Sequence, residues 1–232
     1  MGILFLCLCL KERLTENYYN MKIFKFVFSP IEVNTYILVD DSGDCAIIDC
    51  GCYNRQESVM LESFIKDNGI KPVLSLNTHC HLDHIFGNGF ILEKYGLKTF
   101  SNELEEMNRK NAKPHAGLLG LIMEEPPEPA GFIADKQVVT FGTTELLSIH
   151  VPGHTLGSLA FYSEKNGCVF TGDALFEGSI GRTDLDGGDY DTLIKSIRSR
   201  LFVLPPSTVV YPGHGAETSI EMEMKLNRFF HD

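Results

Sequence analysis

Runs of lysine or arginine are missing from this sequence of 232 residues, and 20 basic against 31 acidic residues leave a net charge of −11. A chain of that sign repels a phosphate backbone unless its cations gather in one patch, so nucleic acid is excluded as the expected partner. The seven cysteines, at 7, 9, 45, 50, 52, 80 and 168, are odd in number and include no CxxC pair. That excludes a disulfide framework and a zinc ribbon, and leaves reduced thiols in a cytoplasm as the simpler expectation. The apolar opening MGILFLCLCL is far too short to cross a bilayer. With no basic residue before it and LysGluArg after it, it also makes a poor export signal. Low-complexity tracts and short-period repeats are absent.

What is present suits one ordinary domain, since a 44% apolar fraction over this length can bury a continuous core. Met21 immediately precedes the first good strand pattern, so residues 1–20 read as an N-terminal extension or a misassigned start, and residues 21–232 as the working domain. The expected location is the cytoplasm, with export the alternative that residues 1–10 leave open, and no stable membrane association is expected.

From Lys22 to Asp49 the runs IFKFVF, TYILV and CAIID, divided by turn residues, predict a strand meander. Residues 54–68 carry apolar side chains at helical spacing up to Gly69, and Val73 to Asn77 reads as a buried strand. Short helices are expected near Phe90–Tyr95 and at Asn102–Lys110, the latter with Ser101 as its N-cap. The stretch from Asn111 to Asp135 is long and irregular, which suggests a substrate-covering loop. Strands near Val138–Phe141, Glu145–His150, Leu159–Tyr162 and Val169–Thr171 follow. A helix near Asp191–Leu201, a strand at Val209–Tyr211 and a closing helix from Ser219 complete the chain. Strands and helices alternate in both halves, so the class is α/β.

The densest chemistry is Thr78-His79-Cys80-His81-Leu82-Asp83-His84, directly after a strand. In an extended segment alternate side chains share a face, so His79, His81 and Asp83 are expected to converge and Cys80 to point away. Imidazole and carboxylate are ligands for zinc or iron. Four further corners place a potential ligand beside glycine at a strand end: Asp49 in IIDCG, His154 in VPGHTLGS, Asp173 in FTGDALF and His214 in VYPGHG. Glycine permits a sharp turn there, so such side chains project from the sheet edge.

These motifs, with GRTD at 181–184, occur in the order found in the metallo-β-lactamase superfamily, and the chain resembles its compact glyoxalase II (hydroxyacylglutathione hydrolase) group from about Met21 to Phe230. The resemblance implies a four-layer αββα sandwich with metals at one edge. It assigns His79, His81 and His154 to a first metal, Asp83, His84 and His214 to a second, and makes Asp173 the bridge. Asp49 would orient a ligand histidine, its alternative being a turn-forming acid. The cofactors implied are two divalent ions, zinc before iron or manganese.

Two such ions about 3.5 to 4 Å apart share a water, lower its pKa and polarise a carbonyl. The implied activity is thioester hydrolysis by metal-bound hydroxide, with Asp83 and Asp173 handling the proton. The implied substrate is S-D-lactoylglutathione or a related acyl-thiol. Arg182 is a candidate for a substrate carboxylate or for an ion pair with Asp184. The rival within the superfamily is a mononuclear Fe(II) persulfide dioxygenase using residues matching His79, His154 and Asp173. The rival of another class is a metal-binding module without catalysis.

Overall fold

The computed structural model describes residues 21–231, so the expected extension over residues 1–20 lies outside the described residues. Antiparallel strands β1 (Met21–Phe28), β2 (Val33–Asp40) and β3 (Asp44–Ile48) open the chain, and helix α1 (Arg55–Asp67) leads to β4 (Lys71–Leu76), which pairs parallel with β3. One helical turn, α2 (Leu82–Ile85), then α3 (Asn88–Tyr95), β5 (Phe100–Ser101), α4 (Glu106–Leu118) and β6 (Gly131–Phe132) complete the first half. The second half runs β7 (Val138–Phe141), β8 (Thr144–His150), β9 (Leu159–Ser163) and β10 (Cys168–Gly172), then the small hairpin β11 (Leu175–Phe176) and β12 (Ser179–Ile180). Helix α5 (Tyr190–Ser196), β13 (Val209–Pro212), β14 (Thr218–Ser219) and α6 (Ile220–Leu226) end it. The two main sheets have the orders β1-β2-β3-β4-β5-β6 and β14-β13-β10-β9-β8-β7.

Period-two alternation explains how the layers stack. On β2, Tyr36 and Leu38 face the second sheet while Ile37 faces α1 and α3; on β3, Ala46 and Ile48 face inward while Cys45 and Ile47 face the helices. Leu159, Phe161, Cys168 and Phe170 of the second sheet fill the other side of the same inner core. Its outer face, with Ala160, Tyr162 and Val169, is covered by Leu193 of α5, Ile197 of the turn after it and Ile220 of α6. The result is the four-layer αββα sandwich. Strands buried on both faces need near-continuous apolar sequence, which β2, β9 and β10 have. Each fully buried Leu, Ile or Phe adds about 1.5–3 kcal/mol of apolar transfer.

Several boundaries differ from expectation. Asn102, not Ser101, caps the turn before α4, its side chain accepting from the Leu104 N–H. Helix α4 continues to Leu118 through Pro114, so the first part of the expected loop is helical; Gly120, at φ 73°, ends it. The helical run from Asp191 to Leu201 is α5 followed by a π turn over Ile197–Leu201. The closing helix stops at Leu226, where Asn227 adopts extended backbone, and a 3₁₀ turn over Arg228–Phe230 follows.

Strand direction places the site. Strands β3 and β4 run parallel, as do β10 and β13, and β8 shares the direction of β10 through two antiparallel pairings. The corners bearing Asp49, His79–His84, His154, Asp173 and His214 all leave carboxyl ends of these strands, where open α/β sheets hold their ligands. At that edge the Asn34 N–H donates to the Gly213 carbonyl at 2.7 Å and joins the two sheets.

Candidate metal centre

After β4 the chain bends at Thr78 and runs on to His81, whose φ and ψ are −64° and 150°. The expected strand-like alternation ends there. Asp83 and His84 lie on the helical turn α2, so it is that turn that brings His84 beside His79 and Asp83 beside His214. Three groups form: His79, His81 and His154; Asp83, His84 and His214; and His79, His84 and Asp173, with ligand atoms within 4.8 Å of one another in each. Asp173 stands between the first two, its Oδ2 3.7 Å from His154 Nε2 and 3.6 Å from His214 Nε2.

The hydrogen bonds around the rings fix their tautomers. His84 Nδ1 donates to Asp49 Oδ2 at 2.9 Å, His154 Nδ1 to the Arg182 carbonyl at 2.7 Å, and His214 Nδ1 to the Glu32 carbonyl at 3.0 Å. The Thr78 hydroxyl spends its proton on Asp49 Oδ2 at 2.6 Å, so it accepts from His79 Nδ1 at 3.1 Å. In each ring the Nε2 lone pair is left facing inward. His79 Nε2 and His154 Nε2 are only 3.1 Å apart, two acceptors aimed at one space. Buried His84 Nε2 and Asp173 Oδ1 have no hydrogen-bond partner. Facing lone pairs and orphaned acceptors are the donor set of a cation site, and the residues fit divalent metal ions.

Electrostatics agree with that fit. Burial, and then the neighbouring His84 and His154, hold the His79 imidazole well below its ordinary value; burial and His154 take His81 down to about 3. Both rings are neutral and ready to ligate. Burial opposes charge at His84, yet the carboxylates of Asp173, Asp83 and Asp49 lift it well above the usual imidazole value. Those acids attract positive charge, which a proton supplies at His84 or a divalent cation supplies to the whole group.

Two glycines permit this approach of backbone to ligand. A Cβ at Gly213 would collide with the Asp173 carboxylate and the His84 ring, and one at Gly181 with the Asp173 carbonyl. Asp49 has φ 52°, a left-handed conformation uncommon outside glycine and asparagine, and its carboxylate also accepts from the Thr78 N–H at 2.8 Å. The turn-forming alternative and the orienting role therefore coexist in one residue. Cys80 packs among Ile85, Ala112 and Met123, and burial together with Glu105 pushes its thiol up, away from a reactive thiolate. Arg182 pairs with Asp184 in a bidentate bridge of 2.8 and 2.9 Å on the exposed rim. Its main-chain carbonyl, unanticipated from sequence, is what holds His154.

Glu105 was also missed. It is fully buried and accepts from Cys80 N–H at 2.8 Å, Thr155 Oγ1 at 2.6 Å, Gly157 N–H at 2.8 Å and Asn108 Nδ2 at 2.9 Å. It thereby clamps the His79–His81 segment to the His154 corner. In SNELEEM it looks like an ordinary surface acid. Asn34 and Tyr36 do the same for the other corner, donating to the Pro212 carbonyl at 2.9 and 2.7 Å.

The family model described as the metallo-beta-lactamase superfamily matches residues 29–214. The chain belongs to that superfamily. Among curated relatives it is 35% identical over 214 residues to the probable metallo-hydrolase YqgX of Bacillus subtilis (strain 168), covering 90% of this chain and 97% of that one. It is 32% identical over 203 residues to the hydroxyacylglutathione hydrolase GloC of Haemophilus influenzae (strain ATCC 51907 / DSM 11121 / KW20 / Rd), covering 84% and 92%. Among solved structures the BLEG-1 B3 metallo-beta-lactamase superposes with a TM-score of 0.82 at 30% identity, covering 91% of this chain and 100% of that chain. The chain is thus a metallo-hydrolase of this fold. No described helix is long and apolar enough to cross a membrane.

Proposed function

We propose that this metallo-hydrolase cleaves a thioester, S-D-lactoylglutathione or a related acyl-thiol, with two divalent ions as cofactors, zinc before iron or manganese. The observation that carries the reading is that both ligand groups and Asp173 open onto one cavity of about 790 Å³, a size suited to a small organic substrate. The name of the GloC relative supports the thioester. His79, His81 and His154 would hold one ion, Asp83, His84 and His214 the other, and Asp173 would serve both. When bound, such ions supply a water of lowered pKa and a Lewis acid for the carbonyl.

The chain's own residues do the remainder. Asp49, Glu32 and Arg182 hold the ligand imidazoles in the tautomer that presents Nε2, through one carboxylate and two carbonyls. Asp83, whose Oδ2 lies 3.1 Å from His214 Nε2, and Asp173 would take the proton of the attacking water. A C–O bond forms, the C–S bond breaks, and its electron pair leaves on sulfur. A thiolate departs more readily than an alkoxide because a thiol is the stronger acid.

The test is one preparation assayed side by side on lactoylglutathione, glutathione persulfide and a chromogenic β-lactam, with metal content measured. Two ions per chain and fastest thiol release support the reading. One iron with oxygen uptake on the persulfide would replace it with a dioxygenase, and faster β-lactam opening would replace it with a lactamase. Metal binding with no turnover of any of the three compounds would favour a metal-binding module without catalysis.

A further inference from the structure

The cavity walls carry little that would recognise a charged carrier. Among its described lining residues Arg182 is the only Arg or Lys, and its guanidinium is engaged at both ends of the Asp184 carboxylate, at 2.8 and 2.9 Å. Asp186 lines the same side. A substrate carboxylate exchanging onto Arg182 would leave Asp184 unpaired beside it, with Asp186 adding repulsion. This rim therefore offers an incoming carboxylate no Arg or Lys that is not already paired.

Much of the remaining lining is apolar and exposed. Helix α4 ends with Leu118 and Leu119, 84% and 64% exposed, and both line the cavity together with Leu185, 41% exposed, and half-buried Leu82. Large aliphatic side chains left open to water together in one concave place mark an interaction surface, a ligand groove among them. Here the surface is continuous with the metal-ligand cluster, so the covering group belongs to the molecule whose carbonyl reacts there.

We propose that the cavity takes thioesters whose carrier thiol bears no carboxylate and whose arms are apolar, in preference to glutathione esters. This rests on the thioesterase reading for the reaction but not for the shape and charge of the cavity. The carrier chemistry is that of an uncharged N-acylated aminothiol. Glutathione, with two carboxylates against one ammonium, brings net negative charge to a wall whose one arginine is already paired.

Binding and turnover separate the two ideas. The zinc-loaded protein is titrated with the non-cleavable thioethers S-hexyl-N-acetylcysteamine and S-hexylglutathione, and assayed on the hexanoyl thioesters of the same two thiols. The expected result is at least tenfold tighter binding of the uncharged thioether. Leu118→Ser with Leu119→Ser, on an exposed helix end, should weaken the uncharged thioether about tenfold while far-ultraviolet circular dichroism is unchanged. Equal or tighter binding of S-hexylglutathione, or no effect of the double substitution, overturns the proposal even if thioesters are cleaved. The expected binding preference with no cleavage of either hexanoyl ester keeps the ligand class and removes the thioesterase reading instead.

Discussion

Asp49 and His84 are linked by a 2.9 Å hydrogen bond from Nδ1 to Oδ2, and both side chains are buried. The same carboxylate accepts from the N–H and hydroxyl of Thr78, so one acid at the end of β3 orients a ligand ring and the start of the ligand segment together. Asp49→Ala removes the acceptor and frees the His84 tautomer. Partners of this kind are worth about 10–100-fold in metal affinity. We expect a zinc loss in that range by chelator competition, with Asp49→Asn intermediate because one oxygen remains. Affinity equal to the unaltered protein would show that His84 is held by packing alone.

Glu105 makes a different demand, because its four donors come from three separate segments. Replacing it with Gln leaves one acceptor oxygen and puts an NH₂ against groups that are already donors. Buried charge-assisted bonds contribute about 1.5–3 kcal/mol each, and an unpaired buried donor costs a further fraction of that. Glu105→Gln should lower the unfolding free energy by about 2–4 kcal/mol in urea titrations of the metal-free protein. Glu103→Gln, an exposed neighbour, serves as the control and should change it by less than about 0.5 kcal/mol.

Gly213 and Gly215 flank His214 yet should respond in opposite ways to alanine. At 213 the added methyl enters the space of the Asp173 carboxylate and His84 ring; at 215 it meets nothing within 4 Å. Gly215 has φ 78°, so alanine there pays only backbone strain, about 1–2 kcal/mol. Gly213→Ala should therefore cut metal occupancy and turnover at least 100-fold in a protein that still melts cooperatively. Gly215→Ala should lower Tm by several degrees and keep its metal. Intact metal content in Gly213→Ala would mean that the corner can shift without moving its ligands.

The parts of the site legible in the sequence are those where chemistry is written locally. His79 to His84 lie within six positions, and Asp49, His154, Asp173 and His214 each sit beside glycine at the end of an apolar strand. Apolar runs likewise marked β2, β3 and β9 as strands, though not which face of each meets the other sheet. What escaped depends on distance along the chain or on a change of backbone geometry. Glu105 meets three of its four partners 25 to 52 residues away, and Asn34 meets Pro212 across 178. The turn at α2, not strand pleat, aims Asp83, and no residue in HLDH announces where extended backbone stops. Helix α4 runs through Pro114 because Ala112 and Ala116 bury beneath it, and that tertiary contact outweighs a poor local propensity.

Away from the metal ligands, Asp40 offers a test of pH dependence. It is buried at the end of β2 and accepts from Ser42 N–H at 2.8 Å, Thr144 Oγ1 at 2.7 Å and the Thr143 N–H and hydroxyl at 3.1 and 3.0 Å, tying the first sheet to the β7–β8 turn. Burial raises its carboxyl, but the bonds from Ser42, Thr144 and Thr143 prevail and hold it well below the usual carboxylate range. A carboxyl depressed in the folded state favours folding once it is ionised in the unfolded chain, near pH ~3.9 and above. That stabilisation is complete at neutral pH and is lost as pH falls below about 4 toward the folded-state value. Asp40→Asn lacks the linkage. The Tm difference between the two proteins, measured metal-free in chelator, should be large and constant from pH 7 to about 5 and shrink steadily between pH 4 and 2.5. A difference that stays constant through that acid range would mean that the four donors recognise shape rather than charge.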